Sequence, residues 1–126
     1  MTLRQLIVSA LLLTSAAMTH AIEFQPYSAA ALAAAQKADK PVVLQFHADW
    51  CPTCRAQDKV LEKLKAEPGL DVTVLKVNFD AEKDLKKKYK VQTQSTMVVL
   101  RGEKERGRLV GDTTEAGIRA ALKSAL

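Results

Sequence analysis

Cys51 and Cys54 are the only two cysteines in the chain, with Pro52 and Thr53 between them. Two thiols at this spacing can cycle between dithiol and disulfide, ligate a metal, or form a static bridge. The static bridge is disfavoured, because an i, i+3 link closes a very small loop and removes little chain entropy. The flanking residues argue for reactivity. Val42-Val43-Leu44-Gln45-Phe46 is a short apolar run that reads as a buried strand. From Arg55 to Ala66, the apolar residues Ala56, Val60, Leu61 and Leu64 fall on one face of a helix. The cysteines therefore lie where a strand ends and a helix begins. The first turn of a helix carries free N–H groups and the positive end of the macrodipole. A thiolate is favoured there over a thiol, and the thiolate is the nucleophile, so Cys51 is the expected thiolate. Pro52 suits the first helical position, where no N–H is needed. Cys54 falls on the same side of that helix, within reach of a disulfide to Cys51.

The elements that must hold this pair follow from the rest of the chain. Met1 to Ala21 has the form of a secretory signal: Arg4, an apolar stretch from Leu6 to Ala17, then Thr19-His20-Ala21 as a cleavage site. The domain proper is then 22–126, placed in a compartment that permits disulfides. Glu23-Phe24-Gln25 is a short first strand closed by Pro26. Ser28 caps an alanine-rich helix, Ala29 to Ala38, that Lys40-Pro41 stops. After the central strand and the cysteine helix, Val72 to Phe79 reads as a strand. Ala81 to Lys90 is a short helix with Leu85 and Tyr89 inward. Its lysines 83, 86, 87, 88 and 90 form either a solvated face or a patch for an acidic partner or anionic lipid head groups. Thr96 to Leu100 is a third core strand, and Glu105 to Val110 returns as an antiparallel edge. Asp112 with Glu115 is expected to form a capping box. The last helix buries Ile118, Ala121, Leu122 and Ala125. The order is β-α-β-α-β-α-β-β-α. The 126 residues hold one domain besides the signal segment, of ordinary globular composition, 48% hydrophobic and 26% charged. A net charge of +5 is a mild excess and does not describe a nucleic-acid reader.

Trp50-Cys51-Pro52-Thr53-Cys54 after a strand resembles the active-site motif of the thioredoxin family, and the resemblance extends from about Phe24 to Leu126. It implies a thioredoxin-like α/β fold: a central mixed sheet of four to five strands flanked by helices. It also implies a protein thiol–disulfide oxidoreductase whose only redox group is the Cys51–Cys54 disulfide, with no separate cofactor and no metal. In that family the first cysteine attacks a partner's disulfide and the second releases the reduced partner, which makes Cys51 the nucleophile and Cys54 the resolving thiol. Trp50 resembles the tryptophan that flanks the active site, in a core or a docking role. Lys76 and Asp80 resemble the family's central strand and its end. Gly111 resembles the glycine before the last helix that lets a partner chain approach, or is a plain helix-entry glycine.

The pattern is broken at two places. Many family members carry a buried aspartate where this chain has Gln45, and an amide cannot act as a base near neutral pH. His47, on the same strand face as Gln45 by alternation, is the candidate to assist deprotonation of Cys54; otherwise it shields the rim. The family's cis-proline aligns with Ser95, in the loop that also holds Gln94. The Gln94–Ser95 bond is then either trans with a reshaped loop, or cis and strained. Such a change alters partner choice, and Ser95 becomes a possible hydrogen-bond partner for a cysteine sulfur. Pro52 directly after the nucleophile is similar to glutaredoxins and bacterial periplasmic oxidants. Phe46 to Cys51 resembles reductase-type domains of exported proteins. The expectation is an exported, periplasmic, monomeric reductant of protein disulfides, fed by a membrane-bound redox partner. The alternatives are a disulfide-donating oxidant of the same fold and a metal-binding or metal-delivery module using the two thiols.

Overall fold

The computed structural model describes residues 21–126. The expected signal segment therefore lies, up to His20, outside the described residues. Five strands, Glu23–Pro26 (β1), Pro41–His47 (β2), Thr73–Asn78 (β3), Thr96–Arg101 (β4) and Lys104–Val110 (β5), form one mixed sheet. The helices are Ala29–Lys37 (α1), Pro52–Leu64 (α2), Lys83–Lys88 (α3) and Glu115–Lys123 (α4). The strand order is β1-β3-β2-β4-β5. β3 runs parallel to both β1 and β2, while β4 is antiparallel to β2 and β5. This is the expected thioredoxin-like α/β architecture and element order.

The sheet is covered on both faces. Val42, Leu44 and Phe46 of β2 pack with Leu32 of α1 and Leu85 of α3. Val43, together with Met97 and Val99 of β4, packs with Leu61 and Leu64 of α2 and Ile118 and Leu122 of α4. This explains why β2 reads as a continuous apolar run: a central strand with helices on both sides buries every side chain from Val42 to His47. Alternation then sends Gln45 and His47 to the same face as Val43, under α2.

Three local expectations are corrected. The buried stripe of α2 is Cys54, Gln57, Leu61 and Leu64, whereas Ala56 and Val60 are only half-buried. The stripe starts from the cysteine and includes a polar residue, which an apolar pattern cannot show. The cap of α4 is Thr114, whose hydroxyl accepts from Gly117 N at 3.1 Å, because the helix begins one residue later at Glu115. Asp112 instead accepts from the amide and hydroxyl of Thr114, each at 2.7 Å. Glu115, expected in the capping box, pairs with Lys63 of α2 and Arg119 of its own helix. Arg119 also grips Glu67, just past α2, so the two helices on this face are tied at their ends.

β5 carries a bulge. Val99 pairs with Gly107 but Leu100 pairs with Glu105, leaving Arg106 without a partner across the ladder. A Cβ on Gly107 would come within 2.5 Å of Ser124 Oγ, so the glycine lets the end of α4 lie against the edge strand.

Candidate active site

Cys51 occupies the cap position of α2 in extended backbone, and Pro52 fills the first turn, as its missing N–H allows. The Cys51 sulfur takes the place of a capping oxygen: it accepts the Cys54 amide at 3.1 Å. Both cysteines are free and buried, packed with Ala48 and Phe79. With 1% of Cys51 exposed, its sulfur offers almost no surface, and a disulfide has to be pressed against the rim to reach it.

The third member of this cluster is Ser95. Its hydroxyl lies 3.2 Å from Cys51 Sγ and 3.1 Å from Cys54 Sγ. The Gln94–Ser95 bond is trans, which selects the reshaped loop of the two alternatives. Ser95 sits at φ +63°, a left-handed conformation that costs a side-chain-bearing residue energy. Three hydrogen bonds hold it there. Its amide donates to Phe46 O at 2.9 Å, and its carbonyl accepts from Gly111 N at 3.0 Å and from Gln57 Nε2 at 3.1 Å. Gln57 Nε2 also donates to Asp112 O at 3.0 Å, so one buried amide joins α2 to the loops before β4 and before α4. Gly111 has φ +70° with open space where a Cβ would sit, so backbone conformation rather than crowding requires glycine.

These contacts divide the two thiols. Burial works against a charge on Cys51. The hydrogen bonds from the Cys54 side chain, the Ser95 hydroxyl and the amides of Cys54 and Thr53 outweigh it, and the Cys51 pKa is lowered. For Cys54, burial dominates and the hydrogen bond it gives to Cys51 adds to it. Ser95 and the Ala48 backbone oppose them, and the pKa is raised. The pair is thus arranged as one thiolate and one thiol.

A polar cluster lies behind it. Gln45 and Lys76 are neighbours across β2 and β3, on the face that meets α2. Facing them from α2 is Asp58, one helical turn beyond Cys54. Asp58 accepts from Gln45 Nε2 at 2.7 Å and from Lys76 Nζ at 3.2 Å, and it meets His47 Nε2 at 2.8 Å. Gln45 and His47 are thus brought together as alternation requires, but through a carboxylate that the sequence reading did not single out. The one sequence signal that points to Asp58 and Gln57 is their spacing, i+4 and i+3 from Cys54 on the same helix face, which places them near the thiols but does not name their partners. At the rim, Trp50 is 59% exposed, which rules out the core role. Its Nε1 donates to Asp80 Oδ2 at 2.8 Å. Thr53 and Gln94 are half-buried near the pair and Pro52 is exposed. Among the described residues, no three His, Cys, Asp or Glu side chains converge to hold a metal ion.

A strand-to-helix turn that presents a thiolate beside a buried thiol, on a five-stranded mixed sheet, defines a thiol–disulfide oxidoreductase. The thioredoxin sequence model matches residues 27–124, and the chain belongs to the thioredoxin family. It is 35% identical to a thioredoxin of Echinococcus granulosus over 75% of this chain and 86% of that one. It is 36% identical to an H-type thioredoxin of Brassica campestris over 67% and 68%. Among solved structures it is similar to Trxlp of Edwardsiella tarda, with 35% identity and TM-score 0.74, covering 79% of this chain and 98% of the other. Proteins of this family act on protein disulfides with their own cysteines and need no added cofactor.

Proposed function

We propose that this chain is an exported reductant of protein disulfides. Cys51 attacks the partner's disulfide, and Cys54 resolves the resulting mixed disulfide. The observation that carries this reading is the division of the two sulfurs: four donors converge on Cys51, which favours the nucleophilic form there. Export rests on the signal-like sequence of Met1 to Ala21. The electron source is then a membrane-bound partner, since the protein must be re-reduced outside the cytoplasm.

Ser95 stands where family members have the cis-proline. Its support is position: it directly precedes β4 and touches both sulfurs. Trp50, Gln94 and Gly111 form the rim that receives the partner. The proton of Cys54 leaves toward the cluster of His47 and Asp58, with Gln45 orienting the carboxylate; the support is their shared face beneath α2.

Disulfide donation is the second reading, favoured by one observation. A depressed Cys51 pKa stabilises the dithiol form and makes the pair more oxidising. The reduction potential of the pair, measured against glutathione buffers, decides the direction. A value near about −270 mV supports the reductant, and one near about −120 mV makes the chain a disulfide donor. Reaction of the Cys54→Ser variant with a disulfide-bearing protein such as insulin tests the mechanism: a covalent complex through Cys51 is expected, and none with Cys51→Ser. Fractionation of cells producing the full chain, with N-terminal sequencing, tests export.

A further inference from the structure

We propose that the Ser95 hydroxyl is a catalytic group that serves the two cysteines in turn, donating first to Cys51 and then, once Cys51 is engaged with a partner, to Cys54. The inference rests on the mixed-disulfide reading above and deepens it.

A serine hydroxyl has one hydrogen, and Ser95 Oγ lies at equal reach of both sulfurs, 3.2 and 3.1 Å. It can donate to only one of them at a time. In the free dithiol the charge is on Cys51, and the hydrogen belongs there. When Cys51 forms a bond to the partner's sulfur, that charge disappears and the donor has no anion to serve. The next charge develops on Cys54, which burial otherwise holds as a thiol. Rotation about one side-chain bond turns the same hydrogen onto it. No backbone movement is needed, and none is readily available: the Ser95 amide and carbonyl are fixed by Phe46, Gly111 and Gln57, and the residue is 3% exposed. A left-handed, side-chain-bearing residue held this firmly beside two reacting atoms is strain retained for a function. Proline at this position offers neither the hydroxyl nor the amide bond to Phe46 O.

The step balances without another reagent. Cys54 passes its proton to solvent by way of the His47 and Asp58 cluster as the Ser95 hydrogen turns toward its sulfur. The thiolate attacks Cys51 Sγ, and the Cys51–Cys54 bond forms. The bond from Cys51 to the partner's sulfur breaks, the electron pair leaves on that sulfur, and it takes a proton from water. The two cysteines together lose two electrons, and the partner's disulfide gains them. The serine does not ionise.

The test uses 5,5′-dithiobis(2-nitrobenzoate) on the reduced full chain in stopped flow. Attack by Cys51 releases one coloured thiolate, and resolution by Cys54 releases a second. In Ser95→Gly, which suits φ +63° and lacks the hydroxyl, both phases are expected to slow. The second slows by about tenfold or more, the scale of a lost hydrogen bond to a charge. Ser95→Ala is expected to slow the second phase likewise, which separates loss of the hydroxyl from relief of strain. A second phase at the native rate in Ser95→Gly, with the first slowed, overturns the proposal and leaves the hydroxyl serving Cys51 alone. Absence of any Cys54-dependent second release in the native chain overturns instead the mixed-disulfide reading on which it rests.

Discussion

Cys51 and Cys54 share one chemistry and differ in their neighbours, so their titrations must separate. Alkylation by iodoacetamide is expected to modify Cys51 with a pH midpoint below the ordinary thiol range, because the donors around it stabilise the thiolate. Cys54 is expected to stay unmodified until the pH passes above that range, since burial and its bond to Cys51 hold the proton. Mass spectrometry of peptides quenched from pH 5 to 10 reads both; coincident midpoints would contradict the division of roles. Asp58 is the second residue whose neighbours define it. It faces an amide donor from Gln45, a ring nitrogen of His47 and the ammonium of Lys76. The Lys76 pair is half in water and contributes little, so the carboxylate, itself held by Gln45, serves to orient His47. In Asp58→Asn the first release of coloured thiolate is expected to be unchanged. The second is expected to slow by about a hundredfold, the low end of what a positioned base supplies. His47→Phe should slow the second release as well and leave the first unchanged. A second phase at the native rate in both variants would assign the proton to water alone.

The cysteine helix does more than aim a dipole at Cys51. Through Gln57 it holds the loop before β4 and the loop before α4 against itself, and those loops carry Ser95 and Gly111. Gln57→Glu keeps the shape and turns the donor into an acceptor facing two carbonyl oxygens. It is expected to lower stability by about 1–3 kcal/mol, the cost of buried groups left without partners. It should also speed hydrogen exchange at the Ser95 and Gly111 amides. Denaturant midpoints and exchange by NMR check both, and a neutral effect would mean that the loops are held by their own bonds. The elements themselves were legible in the sequence because their signals are local. The apolar run of β2, Ser28 before α1 and Pro52 after Cys51 each state one boundary. What stayed illegible depends on contacts between elements. Nothing near Gln57 in sequence points to the carbonyls of Ser95 and Asp112. Nothing around Asp58 announces that two strand residues meet it. The trans bond and left-handed backbone at Ser95 are likewise set by Phe46 and Gly111, partners distant along the chain. The capping box failed for a narrower reason: Asp112 and Thr114 are both good caps, and only the position of the first helical turn chooses between them.

At the scale of the molecule, the thiol titrations are a term in folding stability that the disulfide form lacks. In the reduced protein the Cys51 pKa is lowered relative to the unfolded chain. Its contribution is fully present above the ordinary thiol value and is lost as pH falls through the folded pKa. The Cys54 pKa is raised, so its contribution is present below the ordinary value and is lost as pH rises toward the folded one. Between the folded Cys51 pKa and the ordinary thiol value, the unfolded chain binds more protons than the native one, and stability climbs with pH. Above the ordinary value the native protein, still holding the Cys54 proton, binds more, and stability declines. The thiols' contribution to the stability of the reduced chain should therefore be largest near the ordinary thiol pKa, about 8.5. Every other ionisable group is shared with the double variant Cys51→Ser/Cys54→Ser, so the difference in urea midpoint between the two isolates the thiols. That difference, followed from pH 6 to 10 with a non-thiol reductant present, is expected to rise and then turn over. A flat difference would mean that the two sulfurs titrate in the fold as they do in the unfolded chain. The convergence of Ser95, the Cys54 amide and the Cys54 side chain on Cys51 would then place no charge there. A curve that rises without turning over would confirm the Cys51 thiolate and deny that Cys54 is held as a thiol, which would remove the need for any group to activate it.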